Sequence, residues 1–432
     1  MSTFDPAGTD LSSWLTHLET LHPKAIDLGL DRIQGVAAKL GLRQPFVTIT
    51  VGGTNGKGST CAMLEAILLS AGYKVGLYTS PHLIDFNERI RIHGEFATDT
   101  DIVRQFQRID AARGEVTLSY FEFATLAALC LFEQMKVDVA VLEVGLGGRL
   151  DAVNIVDADC AIVTSVDIDH VEWLGDTREK IGFEKAHIFR TGRPAICADP
   201  VPPSTLIDHA REIDADLWLF GTDFNYSGDR QQWAYGGREQ RRSGLAYPAL
   251  RGANQLLNAS AALAALEALR DKLVVPQQAV RIGLAQVSLP GRLQILPGHP
   301  TIVLDVAHNV HAAGALGQNL DGMAFYPYTH AVVGMLRDKD IAAVIGKLAT
   351  RVDHWYCATV PGPRGMSGED LAEIVRRSLP PPGTEPITVS SFDNPVQAFT
   401  EAQSKAADND RILVFGSFTT VGPVLHHLGR KA

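Results

Sequence analysis

The chain has 432 residues, too many for one ordinary core and enough for two or three domains. Hydrophobic residues make up 46% and charged residues 20%, the balance of a globular enzyme. A formal net charge of -10 argues against a general nucleic-acid or polyanion binder, although a small anionic substrate held by local cations is compatible with it.

Ahead of residue 46, the segment AIDLGL (25 to 30) is apolar with a glycine break, suited to a loop laid against a flat ring. FVTITV (46 to 51) predicts a buried strand, GGTNGKGST a glycine-rich turn and CAMLEAILLS a helix. YKVGLYT, VDVAVLEV and CAIVTSV predict further strands, and FEFATLAALCLFEQM a helix between them. Strands alternating with helices, and apolar along their whole length, imply a doubly wound, mostly parallel sheet covered on both faces. A second series, TIVLDVA, HAVVGML, HWYCATV and RILVFGS, starts near Thr301. SLPGRLQILPGHP between the two is rich in Pro and Gly and lacks periodicity. The expected fold is therefore α/β. A phosphate-loop-type domain spans 1 to 288, a linker 289 to 297, and a smaller Rossmann-like α/β domain 298 to 432.

Five scattered cysteines, Cys61, Cys130, Cys160, Cys197 and Cys357, lack CxxC spacing and read as reduced core residues. The opening MSTFDPAGTD shows no basic region followed by an apolar run, and no segment has the uninterrupted apolar length of a membrane span. A cytoplasmic monomer with neither a nucleic-acid nor a membrane partner is expected.

GGTNGKGST lies directly between a strand and a helix. Its glycines let the backbone turn and aim N–H groups at phosphate oxygens, and the helix adds its positive end. Lys57 would reach the β- and γ-phosphates, and Ser59 or Thr60 offers a hydroxyl near a metal. The loop departs from G-x-x-x-x-G-K-[ST], since Gly58 follows Lys57 and Val stands at 51. ATP binding is the inference, with kinases, GTPases and transporters still open on the loop alone.

That departure resembles the phosphate loop of the Mur ligase superfamily, particularly its folylpolyglutamate synthase branch. IDLGLDR, TSPHLIDFNERI, EVGLGGRLDAVN, TSVDIDH, EKAHIF, LPGRLQ, LDVAHN and FGS extend the resemblance over nearly the whole chain. IDLGLDR together with SYFEF and GGRLDA looks like the bifunctional form, in which these segments shape a dihydropteroate pocket.

The resemblance implies ATP-dependent ligation of L-glutamate to 7,8-dihydropteroate and to reduced folates and their polyglutamates through an acyl phosphate, with ATP and two Mg²⁺ ions as cofactors. Thr54, Asn55, Gly56, Lys57, Gly58 and Ser59 would hold the nucleotide, with Asn258 near the adenine and Arg292 and Asp305 at the ATP end. Ser80, Glu143 and His170 would ligate metal, and Lys185 would be carbamylated beside them. Ala25, Ile26, Asp27, Leu28, Ser119, Tyr120, Phe121, Glu122, Leu150, Asp151 and Ala152 would take dihydropteroate. Ser417 would meet the incoming glutamate, and His308 would act as general base. The catalytic set is Lys57, Lys185 and His308.

Local chemistry leaves plainer readings beside several of these. Glu143 ends the apolar strand VDVAVLE, where open α/β sheets bind ligands, or it caps the next loop. His170 is a ligand or a satisfied structural histidine. Lys185 is a modified lysine or a solvated helix lysine paired with Glu184 or Glu179. Phe121 stacks on the pterin or fills a helix core, and Asp151 bonds the pterin edge or shapes the RLDA turn. Arg364 is left unassigned. Three rivals remain: a monofunctional folylpolyglutamate synthase, a cell-wall ligase of the same superfamily, and a non-catalytic ATP sensor. The phosphate loop at residue 53 leaves too little room for the uridine-binding domain of the second. The third needs no Glu143, His170 and Lys185.

Overall fold

The computed structural model describes residues 10–24, 26–229, 231–380 and 387–429. Ala25, expected in the dihydropteroate pocket, lies outside them. The chain divides into two compact units. The first comprises Met1–Pro81, Phe86–Ala249 and Leu256–Val287, and the second His82–Asp85, Leu250–Gln255 and Ser288–Ala432.

In the first unit, helices α1 (Leu11–Leu21) and α2 (Asp31–Leu40) precede strand β1 (Val47–Gly52) and helix α3 (Lys57–Ser70). Then come β2 (Val75–Tyr78), β3 (Ile90–Ile92), β4 (Glu95–Phe96), α4 (Asp99–Arg113), α5 (Tyr120–Gln134), β5 (Val139–Glu143) and β6 (Cys160–Val163). The short α6 (Val171–Leu174), α7 (Arg178–Ala186), β7 (Pro194–Cys197), α8 (Ser204–Glu212) and β8 (Asp216–Leu219) follow. The sheet order is β4-β3-β2-β5-β1-β6-β7-β8. From β2 to β8 all pairings are parallel, while β3 and β4 form an antiparallel edge. β1, β5 and β6 are buried almost throughout, because helices cover both faces.

A three-stranded antiparallel sheet, β9 (Asn225–Gly228), β10 (Trp233–Gly236) and β11 (Arg241–Leu245), follows, with α9 (Gln255–Ala268) and α10 (Gln277–Gln286). Its short strands, with Gly at 228, 236, 237 and 244, gave no clear period in the sequence. It is anchored by the fully buried Trp233 and by Tyr235, whose hydroxyl donates to Glu267 at 2.7 Å.

The second unit carries a six-stranded sheet in the order β12-β13-β17-β14-β15-β16. These are β12 (Gln294–Leu296), β13 (Thr301–Asp305), β14 (Thr329–Val333), β15 (His354–Ala358), β16 (Thr388–Phe392) and β17 (Arg411–Phe415), parallel except for β12. Helices α11 (Val310–Asp321), α12 (Ile341–Leu348), α13 (Gly368–Ser378), α14 (Pro395–Lys405) and α15 (Phe418–His427) flank it. The segment expected to be a plain linker thus belongs to this unit. Its apolar Ile295 and Leu296 pair with Val303 and Ile302 as an antiparallel edge strand. All five cysteines are free and buried. Among the described residues no helix is long and apolar enough to cross a membrane.

Candidate active site

Strands β2, β5, β1 and β6 are neighbours, and their carboxyl ends carry Ser80, Glu143, the phosphate loop and the segment Thr164 to His170. The loop is held by the end of β6. Thr54 N–H donates to Ser165 O at 2.7 Å and Asn55 N–H to Ser165 Oγ at 3.1 Å, while Thr164 Oγ1 donates to Asn55 O at 2.7 Å. The Thr54 hydroxyl donates to Asp167 O and accepts from Asp167 N–H. The loop itself is left-handed at Gly53 (φ 141) and Gly56 (φ 89). Thr60 N–H bonds back to Gly56 O at 2.9 Å, so the amides of Lys57, Gly58 and Ser59 precede the first intrahelical bond, where a helix receives an anion. Lys57 Nζ folds over the loop and donates to Gly53 O at 3.1 Å. The side chain of Asn258, on α9 and buried, lies against Gly56.

Glu143 ends β5 buried, and its Oε2 accepts from Ser80 N–H at 3.1 Å, which sets a carboxylate and a serine side by side. His170 sits in the left-handed region (φ 52) at the start of α6, its N–H bonded to Asp169 Oδ1 at 2.8 Å. Among the described residues no group of three or more His, Cys, Asp or Glu side chains forms a ready-made cage. The Glu143 carboxylate and the Ser80 hydroxyl are oxygen donors of the kind a hard divalent ion takes, completing its shell with phosphate and water, while the His170 imidazole is a less usual nitrogen donor for it.

Lys185 is 4% exposed. Burial, reinforced by the Lys57 cation, pulls its ammonium down to about 7, against the opposing pull of Asp169 and Asp151. The solvated-pair reading does not describe this lysine. Glu184 is taken by Arg149, whose Nη2 lies 2.9 Å from Oε1, and Glu179 binds Ser204 and Thr205. A buried amine whose proton is this readily released suits carbamylation, which needs the neutral form. Gly148 lets the loop after β5 approach: a Cβ there would meet Glu184 O at 2.7 Å.

The three segments assigned to dihydropteroate also converge. Gly29 N–H reaches Leu150 O at 3.4 Å, and Arg32 Nη2 lies 3.2 Å from Glu122 Oε1. Ser119 and Glu122 form the capping box of α5. Phe121 is half-buried, with its ring 5.9 Å from that of Tyr78. It rests on Gly145, where a Cβ would stand 2.6 Å from Phe121 Cζ. Gly145→Ala is accordingly expected to push the ring aside and raise KM for dihydropteroate about 10-fold with KM for ATP unchanged, checked by steady-state kinetics. Asp151 shapes the turn: Oδ2 accepts from Leu146 N–H at 2.8 Å and Oδ1 from Val153 N–H at 3.0 Å. Burial pushes its carboxyl up to about 6.

The Mur ligase middle domain matches residues 51–266, and the glutamate ligase domain of Mur ligases matches 291–418. The dihydrofolate synthase/folylpolyglutamate synthase of Escherichia coli (strain K12) is 46% identical over 97% of this chain and 96% of its own length. The chain belongs to the dihydrofolate synthase/folylpolyglutamate synthase family of Mur ligases. Escherichia coli FolC in complex with DHPP and ADP superimposes with a TM-score of 0.92 at 46% identity, covering 99% of both chains. A Yersinia pestis bifunctional folylpolyglutamate synthase/dihydrofolate synthase complexed with AMPPNP and Mn ion gives 0.90 at 44% identity, covering 99% of this chain and 100% of that one.

Other residues expected from the likeness to this family lie in the second unit. Asp305 commits Oδ2 to Leu293 N–H and Oδ1 to Ala307 N–H, each at 2.8 Å. Burial raises its carboxyl, with Arg292 opposing. The Arg292 guanidinium lies over the Phe418 ring at 5.3 Å. His308 Nδ1 is 2.8 Å from Val306 O, and because a carbonyl only accepts, a neutral ring presents Nε2 as its basic nitrogen. Ser417 is buried with its hydroxyl turned inward to Gly334 O and Thr420. The sequence reading missed Thr164 and Ser165, which brace the phosphate loop, and His22 and Arg32, which hold Asp27. Thr164 and Ser165 bond to Asn55 more than 100 residues away, and the far contacts of His22 and Arg32, with Thr117 and Glu122, are equally remote in sequence, so no local pattern marks them.

Proposed function

We infer that the chain uses ATP to join L-glutamate to 7,8-dihydropteroate, giving dihydrofolate, and to add glutamates to reduced folates, releasing ADP and phosphate. The observation that carries this reading is the common edge of β2, β5, β1 and β6, which holds the phosphate loop and the buried Glu143 carboxylate accepting from Ser80 N–H, with the buried Lys185 on α7 within electrostatic reach of Lys57. A carboxylate does not acylate an amine at neutral pH, since its oxygen is a poor leaving group. In this reading its oxygen attacks the γ-phosphorus, the bond from phosphorus to the β-phosphate oxygen breaks, and ADP leaves with an acyl phosphate formed. The glutamate amine then attacks that carbonyl, and inorganic phosphate departs.

Lys57 and the first turn of α3 neutralise and orient the phosphates, so the first step is chiefly positioning and charge. Ser80, Glu143 and His170, with a carbamylated Lys185 beside them, would hold Mg²⁺, which supplies further charge neutralisation for the phosphoryl group and the developing oxyanion. Asn258 lies behind Gly56 and would bound the adenine side. Ile26 to Leu28, Ser119 to Glu122 and Leu150 to Ala152 would take the pterin, with Phe121 as the stacking ring. Ser119, Glu122 and Asp151 act there by fixing backbone rather than by spare hydrogen bonds. Arg292 and Asp305 would serve the nucleotide, His308 Nε2 would take the ammonium proton, and the enclosed Ser417 would shape the glutamate side. A cytoplasmic monomer goes with this reading.

The test is glutamate-dependent phosphate release with dihydropteroate carrying heavy oxygen in its carboxylate. Label recovered in the phosphate is the expected result; unlabelled phosphate would overturn the acyl-phosphate route. Release with reduced folate but not with dihydropteroate would leave the monofunctional activity.

A further inference from the structure

We propose that Arg32 is a positioning residue for the pterin acid: one guanidinium clamps the loop Ile26–Leu30 onto the first turn of α5. The proposal rests on the function above. Arg32 stands in the first turn of α2 and reaches backwards to its own loop. Nη1 lies 2.8 Å from Asp27 Oδ2, and Nη2 donates to the Asp27 carbonyl at 2.7 Å. The same Nη2 is 3.2 Å from Glu122 Oε1, a buried carboxylate whose other oxygen closes the α5 capping box. Two of the three segments that converge on the pterin site are therefore tied through one planar fork. His22 adds a second tie, with Nε2 3.0 Å from Asp27 Oδ2 and Nδ1 2.9 Å from Thr117 Oγ1, just before α5.

Arg32 donates to the Asp27 carbonyl while its charge pairs with the Asp27 and Glu122 carboxylates, the latter an ion pair that leaves Glu122 Oε1 without a hydrogen bond. A planar, delocalised guanidinium can face all three, whereas an ammonium at the end of a flexible stem is a point charge that settles against one. Without the guanidinium, Asp27 keeps His22 and Lys24, but the loop loses its ion pair with the helix that carries Tyr120 and Phe121. Among the described residues the polar contacts of Arg32 are with Asp27 and Glu122 and not with the phosphate loop, so the effect belongs to the pterin acid and not to ATP.

The experiment uses the full chain as wild type, R32K and R32A, following glutamate-dependent phosphate release against dihydropteroate and, separately, against ATP, with thermal melts. R32K keeps the charge beside the buried Glu122 and is the decisive variant. R32A strands that carboxylate and is expected to melt lower as well. The expected result for R32K is KM for dihydropteroate raised about 10-fold, with kcat, KM for ATP and Tm close to wild type. Amide hydrogen exchange of residues 26–30 should be faster in R32K. An unchanged KM for dihydropteroate in both variants overturns the clamp. So does a parallel rise in KM for ATP with a fall in Tm for R32K, which would mark a general packing role. A wild-type chain that turns over only reduced folate overturns the dihydropteroate reading, and this proposal with it. An active wild type with wild-type-like variants overturns Arg32 alone.

Discussion

Lys185→Met is expected to lower glutamate-dependent turnover by about 10²- to 10³-fold, on the scale of losing one preorganised electrostatic group at a transition state. Methionine matches the lysine stem in volume and leaves the packing of α7 in place, so lost activity reports the nitrogen and not a cavity. The same variant should be more stable than the parent in mild acid. The unfolded chain holds the lysine proton up to its ordinary value of 10.5, while the unmodified folded chain releases it near 7. Between those values the unfolded state binds more protons, so parental stability rises with pH across that window. Below about pH 7 both states are charged and the parent carries the whole cost of burying a cation, on the order of a few kcal/mol. Methionine removes that cost, so its advantage is largest near pH 6 and fades towards pH 10. Thermal melts at the two ends, on chains freed of bicarbonate so that the lysine is unmodified, check the sign, and phosphate release checks the rate. A variant that keeps its turnover removes the carbamate from the mechanism. Labelled bicarbonate giving a carbamate carbon resonance in the parent but not in the variant would place the modification at this side chain.

The sequence displayed Lys185 only as part of an EK pair, and the pair misleads, because adjacent helical residues point in different directions. Glu184 turns out to Arg149 while Lys185 turns in, a difference that depends on where α7 lies against the loop after β5. The strands were legible for the opposite reason. VTITV, VAVLE and CAIV are apolar along their length, so period and composition suffice without tertiary knowledge. The order in which they stand was not legible. β5 sits between β2 and β1, although 60 residues separate Tyr78 from Val139, and that placement is what sets Glu143 beside Ser80. Residues whose work is contact across such gaps, Thr164 by a hydrogen bond and Arg32 by an ion pair above all, look like ordinary polar residues in their own segments. Asp151 and Asp305 were visible as strand-end or turn acids, but which oxygens the backbone would occupy was not. Each spends both on main-chain amides.

Gly56→Ala is expected to raise KM for ATP about 100-fold, equivalent to roughly 2.7 kcal/mol, through two costs that add at one atom. The backbone there has φ 89, where an L-residue bears strain of about 1–2 kcal/mol. The new methyl would also stand 2.5 Å from Asn258 Oδ1, on a side chain buried at the start of α9. Either the loop shifts, carrying the amides of Lys57 and Gly58 off the phosphates, or Asn258 swings away from its place behind the loop. Gly41 supplies the control. It is left-handed as well (φ 63), caps α2, and has nothing within 4 Å of a built Cβ. Gly41→Ala should therefore lose about 1 kcal/mol of stability with KM for ATP unchanged. In an Asn258→Ala background the contact is gone and the dihedral strain remains, so, measured against Asn258→Ala alone, Gly56→Ala should cost less ATP binding than it does in the parent. No cost in that background would show that crowding alone makes glycine necessary at 56. An undiminished cost would give the whole effect to the backbone. A Gly56→Ala chain binding ATP like its parent, in titration calorimetry and in kinetics, would mean that this turn does not set the position of the phosphates.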